Sequence, residues 1–159
     1  MNFFPLREKT QLERSNLNTI SDISTKLGVF LMDDVIITIH RLKNRSIYEL
    51  KKEILLPLNI DINRDHIALN LALKVMKSFD DESKNLLEIM DQIESEIFLK
   101  TTNHSNHIRR LYRLKRKSGL NTRILNISTV WVEKFKLLQL DDTAVTDLKD
   151  KHKDVIADF

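Results

Sequence analysis

Cysteine is absent from the 159-residue chain, and only two glycines and two prolines interrupt it. Without cysteine there are no disulfides, no thiolate metal ligands and no thiol nucleophiles, which agrees with a reducing compartment and argues against redox chemistry. Long hydrophobic runs are missing too. The nearly apolar stretches at residues 28–32, 35–39 and 54–60 fall far short of the roughly 18 to 20 residues that a bilayer-spanning helix needs. The start, MNFFPLREKT, lacks the basic lead, apolar core and small-residue cleavage site of a secretory signal. No glycine-rich phosphate loop, nucleophile–base pair or metal triad is visible, so the chain is not expected to be an enzyme. The net charge of +3 is small, although 31% of residues are charged. Overall charge therefore does not call for a nucleic-acid or membrane partner.

What the chain does have is apolar periodicity. Phe3, Phe4 and Leu6 suit a short edge strand, with loop following to about Asp22. The stretch GVFLMDDVIITIHRL holds two apolar runs around Asp33 and Asp34. Val35, Ile36, Ile37, Thr38 and Ile39 are nearly all β-branched, which predicts a buried strand paired across a tight turn. Ser46 precedes Glu49 by three, a capping-box spacing, and a short helix is expected to end near Pro57. From Asp65, a plausible N-cap, apolar residues recur at three- and four-residue steps to Leu99, predicting a helix about 50 Å long.

The polar stretch KTTNHSNH reads as a break holding the loop histidines His104 and His107. Ile108, Leu111, Leu114, Ile124, Ile127, Trp131, Phe135 and Leu138 then resume the pattern, giving an antiparallel helical hairpin. Its arms differ in charge: Asp80, Asp81, Glu82, Glu88, Asp91, Glu94 and Glu96 face Arg109, Arg110, Arg113, Lys115, Arg116 and Lys117. Folding back brings the opposite charges together and selects the register. Last, Val145, Leu148, His152, Val155 and Phe159 form a heptad seam, to be packed on a neighbour or on the hairpin. The expected fold class is α+β and helix-dominated. It divides into a partial α/β portion with the strand pair (1–62), the hairpin (63–140) and the start of a stalk helix (141–159).

These elements and the residues that fill them resemble the cytosolic domain of the CorA-type magnesium and divalent-metal transport family, over residues 18–159. VFLMDDVIITIHR is similar to that family's strand pair. DHIALNLALKVMKSFDDESKNLLEIMDQIESEIF is similar to its first long helix, and HIRRLYRLKRKSGLNTRILN and LKDKHKDV follow in its order. The family's Gly-Met-Asn signature and its two membrane helices are absent. The resemblance implies a regulatory domain at the cytoplasmic face of the inner membrane that senses divalent cations and couples them to a pore. It further implies assembly with identical subunits as a homopentamer, attachment to the membrane through helices beyond residue 159, and no nucleic-acid partner.

In the same family a stalk-helix aspartate joins a regulatory ion site between subunits, and Asp150 occupies the matching position. Its usual acidic partner corresponds to Arg45 or Tyr48. On the predicted helix Asp147, Asp150, Asp154 and Asp158 fall within about 80° of one another, and hard carboxylate oxygens suit Mg2+ or another divalent cation. Asp147, Asp150 and Asp154 are the candidate metal ligands. The competing reading is a solvated face offset by Lys149, Lys151 and Lys153. His152, on the seam, suits a partly buried structural role. The alternative function is a helical RNA-binding or protein-interaction module using the basic face at 109–117, with Tyr112 able to stack on a base.

Overall fold

The computed structural model describes residues 1–7, 19–33, 35–55, 63–99 and 104–159. Position 34, the expected helix end near Pro57, and the polar break at 100–103 lie outside the described residues. Three strands come first: β1 (Asn2–Phe3), β2 (Leu27–Leu31) and β3 (Ile36–His40), with a single helical turn, α1 (Ile20–Ile23), before β2. The long helices follow as α2 (Arg45–Leu55), α3 (Arg64–Phe98), α4 (His104–Val132) and α5 (Asp142–Ala157), with a 3-10 turn at Glu133–Leu137. The protein is thus α+β and helix-dominated.

The sheet is antiparallel in the order β1-β2-β3. Met32 and Val35 exchange backbone hydrogen bonds at 2.9 and 3.4 Å, which closes a two-residue connection and sets Phe30 opposite Ile37 and Gly28 opposite Ile39. Because side chains alternate between faces, Phe3, Leu27 and Val29 point into the core while Phe30, Ile37 and Ile39 point away from it and stay exposed. The expected buried strand is therefore covered on one face only.

Helix starts depart from the sequence reading in two places. Asn44, not Ser46, caps α2: its Oδ1 accepts from Ile47 N at 3.2 Å, and Ser46 is buried in the first turn. Asn63, not Asp65, caps α3, accepting from Asp65 N at 3.1 Å. In both cases an asparagine two residues earlier offers the same oxygen to the free N–H groups of the first turn. Asp65 is instead buried and reaches across the fold. Its Oδ2 accepts from Gln139 N at 2.8 Å, and its Oδ1 lies 3.1 Å from Arg64 Nε.

α3 and α4 run antiparallel, with Glu82 against Lys117 near the middle and Glu96 against Arg110 at 2.5 Å toward the far end. These two pairs meet as the sequence implied, whereas Asp80 pairs with Lys84 and Lys151, and Arg109, Arg113 and Lys115 lie at the surface. One continuous hydrophobic core includes Phe3 and Leu27 of the sheet, Leu71, Val75, Met76 and Phe79 of α3, Ile124 and Leu125 of α4, and Leu148 and Val155 of α5. Trp131 joins sheet to helices, its ring 4.4 Å from Phe3 and 5.9 Å from Phe135. Toward the hairpin tip the core thins, leaving Leu87, Phe98, Ile108 and Tyr112 exposed. His104 begins α4 and His107 lies in its first turn, so these histidines are helical rather than in a loop.

Candidate functional site

α5 carries the candidate ligands and owes its position to the seam. Val145, Leu148, His152 and Val155 are buried against the hairpin, so this chain itself covers the heptad stripe. His152 Nε2 donates to the Leu125 carbonyl at 2.9 Å, which ties α5 to α4 and gives this buried imidazole a structural role. Ser118 Oγ donates to the Phe159 carbonyl at 2.7 Å and holds the far end.

With the stripe inward, the aspartates face outward. Asp147, Asp150, Asp154 and Asp158 are all exposed, centred roughly 140° round the helix from the buried residues. The intervening lysines divide. Lys149 turns to Glu133 at 3.1 Å and Lys151 to Asp80 at 3.3 Å, both on elements beside α5. Lys153 pairs with Asp150 at 3.1 Å. The compensation expected from all three lysines is therefore partial: two are drawn toward neighbouring elements. Lys84 also bonds Asp80, at 3.0 Å. That hydrogen bond, with the one from Lys151, holds the Asp80 carboxyl below its ordinary range against the opposing effect of burial.

Among the described residues, no group of three or more His, Asp or Glu side chains converges as a metal site. The α5 face thus offers separate carboxylates rather than a cage. Mg2+ keeps several waters and is commonly held by one or two carboxylates, so such a face could complete a site only together with ligands from elsewhere. His107 Nδ1 lies 3.3 Å from Glu96, which Arg110 also engages, and this places it in the hairpin's charge pairing. Arg45 begins α2 and pairs with Glu49 at 2.6 Å; Tyr48 is exposed beside Lys52.

The basic face of α4 is split in the same way. Lys117 and Arg110 serve the hairpin, while Arg109, Arg113, Lys115, Arg116 and Tyr112 lie at the surface. Two apolar features had no clear signal in the sequence. One is the outer face of the β2–β3 pair. The other is a groove of about 480 Å³ between α3 and α4, lined by Leu86, Met90, Leu111, Leu114 and Phe159. Helical periodicity announced these residues as core, but nothing local shows that they line an open groove. No helix among the described residues is long and apolar enough to cross a membrane. No protein-family model matches the chain, and no curated protein matches it.

Proposed function

We propose that this chain is the regulatory domain of a CorA-like divalent-cation transport protein, without enzymatic activity, in which the outer face of α5 senses the ion. The observation that carries the reading is the seating of α5. The hairpin buries its apolar stripe and leaves Asp147, Asp150 and Asp154 exposed together, with Lys149 and Lys151 drawn to other partners. The order of strand pair, long antiparallel hairpin and third helix supports the same reading, as do the motifs quoted above.

Asp150 and its neighbours would hold a hydrated Mg2+ or similar ion jointly with an identical subunit, since one chain does not supply enough ligands. The ion contributes charge neutralisation between two acidic faces. Binding must favour the assembled, pore-closed arrangement over the open one, because only differential affinity moves such an equilibrium. Full-length assembly as a homopentamer at the cytoplasmic face of the membrane belongs to this reading.

The test is nuclear magnetic resonance with Mn2+, a hard ion that favours oxygen ligands and broadens signals near it. Selective broadening of backbone amides of residues 147–154, abolished by Asp150→Asn, is the expected result. Uniform weak broadening of every acidic surface would contradict it. RNA binding through Arg109, Arg113 and Tyr112 is the second reading, favoured by the surface position of these side chains. Salt-sensitive binding of single-stranded RNA that is lost in Arg109→Ala/Arg113→Ala would move the assignment there.

A further inference from the structure

The β2–β3 ribbon is apolar on both faces, and the fold uses only one. Leu27 and Val29 enter the core, while Phe30, Met32, Val35, Ile37 and Ile39 are 55%, 57%, 52%, 43% and 60% exposed. These five are contiguous. Phe30 lies opposite Ile37, Met32 bonds Val35 across the turn, and Ile39 pairs with Gly28, whose missing side chain leaves Phe30 and Ile39 within reach of the same spot. A strand that reads as a continuous apolar run, rather than alternating, is the pattern of a sheet covered on both sides.

We infer that this face is covered by the same face of a second copy of the chain, forming a two-fold sheet-on-sheet dimer. The area decides for a second copy. Phe30, of roughly 200 Å², and four somewhat smaller aliphatic side chains, all about half exposed, give on the order of 500 Å² of apolar surface, as large as the biggest patch on a typical monomer. Two such faces bury about 1,000 Å² in total, the lower bound for a specific interface between proteins. An isologous pairing needs no other partner, since the patch is complementary to itself.

Charge selects the orientation. Asp33, fully exposed at the turn and 3.7 Å from Arg64, marks one end of the ribbon, and the exposed Lys26 and Arg41 mark the other. A two-fold axis perpendicular to the strands sets the turn of one copy over the open end of its mate, pairing opposite charges twice. An axis along the strands would set Asp33 against Asp33. The dimer is therefore antiparallel.

This association is separate from ion bridging through α5: a ring of five cannot pair its own subunits two by two, so the sheet contact joins a chain of one ring to a chain of another, and the experiment keeps the two contacts apart. The mass of the full chain is measured by sedimentation at about 100 µM in EDTA, a concentration suited to a small interface. Twice the chain mass is expected, with at least tenfold weaker association in Ile37→Thr/Ile39→Thr. Threonine keeps the β-branched shape of the strand, and circular dichroism verifies that the variant is folded. Asp150→Asn should leave the dimer unchanged, and Asp33→Lys should weaken it. A monomer at this concentration would overturn the inference. A dimer that survives both threonines, or one lost with Asp150→Asn in EDTA, would place the contact elsewhere and overturn it equally.

Discussion

Replacing Asp65 by alanine removes one contact that spans 74 residues and one that holds its neighbour Arg64. Its carboxylate is 2% exposed, accepts from Gln139 N at 2.8 Å and lies 3.1 Å from Arg64 Nε. Arg64 in turn donates to the Met32 carbonyl at 2.7 Å, so one carboxylate organises the start of α3, the β2–β3 turn and the connection into α5. A hydrogen bond to a charged group contributes about 1.5–3 kcal/mol, and the loss leaves the Gln139 N–H short of an acceptor. Asp65→Ala should therefore cost about 2–4 kcal/mol. For a chain of this length that lowers the thermal midpoint by about 4–16 °C. Asp65→Asn keeps one oxygen for Gln139 and gives up only the charge, so it should cost about half as much. Urea unfolding followed by circular dichroism reads both values. Equal costs for the two variants, or a loss under about 0.5 kcal/mol for alanine, would refute the bridging role.

Lys117→Met strands Glu82, which is 6% exposed, and should cost about 3–5 kcal/mol, whereas Lys117→Met/Glu82→Leu should recover most of it in the same unfolding assay. Asp80 has a depressed carboxyl pKa through its hydrogen bonds to Lys84 and Lys151, so its contribution is present above its unfolded value of 3.8 and is lost as pH falls through the lower folded value. Asp80→Asn should accordingly flatten the fall in stability below about pH 4, and a midpoint-against-pH curve parallel to wild type would refute this. Asn121 is fully buried on α4 with neither amide atom hydrogen-bonded among the described residues. Asn121→Leu should raise stability by about 1–3 kcal/mol; a loss would show that the amide is satisfied.

Elements whose signal is periodic were legible in the sequence, and contacts between distant positions were not. The three- and four-residue steps gave α3, α4 and α5, and the β-branched run gave β3, because each is written in consecutive residues. The short strand at Phe3 was legible from its small apolar cluster. The turn at Ile20–Ile23 was not, since four residues are too few to show a period. Ser46 and Asp65 carry the chemistry of caps. Asn44 and Asn63 have the same chemistry two residues earlier, and only backbone geometry distinguishes them. The bridging role of Asp65 has no local trace, because Gln139 lies 74 residues away. At the candidate site, the grouping of Asp147, Asp150 and Asp154 followed from helical geometry. The destinations of Lys149 and Lys151 depended on Glu133 and Asp80, which only the packing of α5 brings near.

We propose that divalent ions join chains through the outer face of α5. This is tested most directly by light-scattering mass in EDTA and in millimolar Mg2+, for the wild type and for Asp150→Asn. A Mg2+-dependent rise in mass above the EDTA value, removed by Asp150→Asn, is the expected result. An identical mass in both buffers, or a rise that persists in the variant, would contradict it.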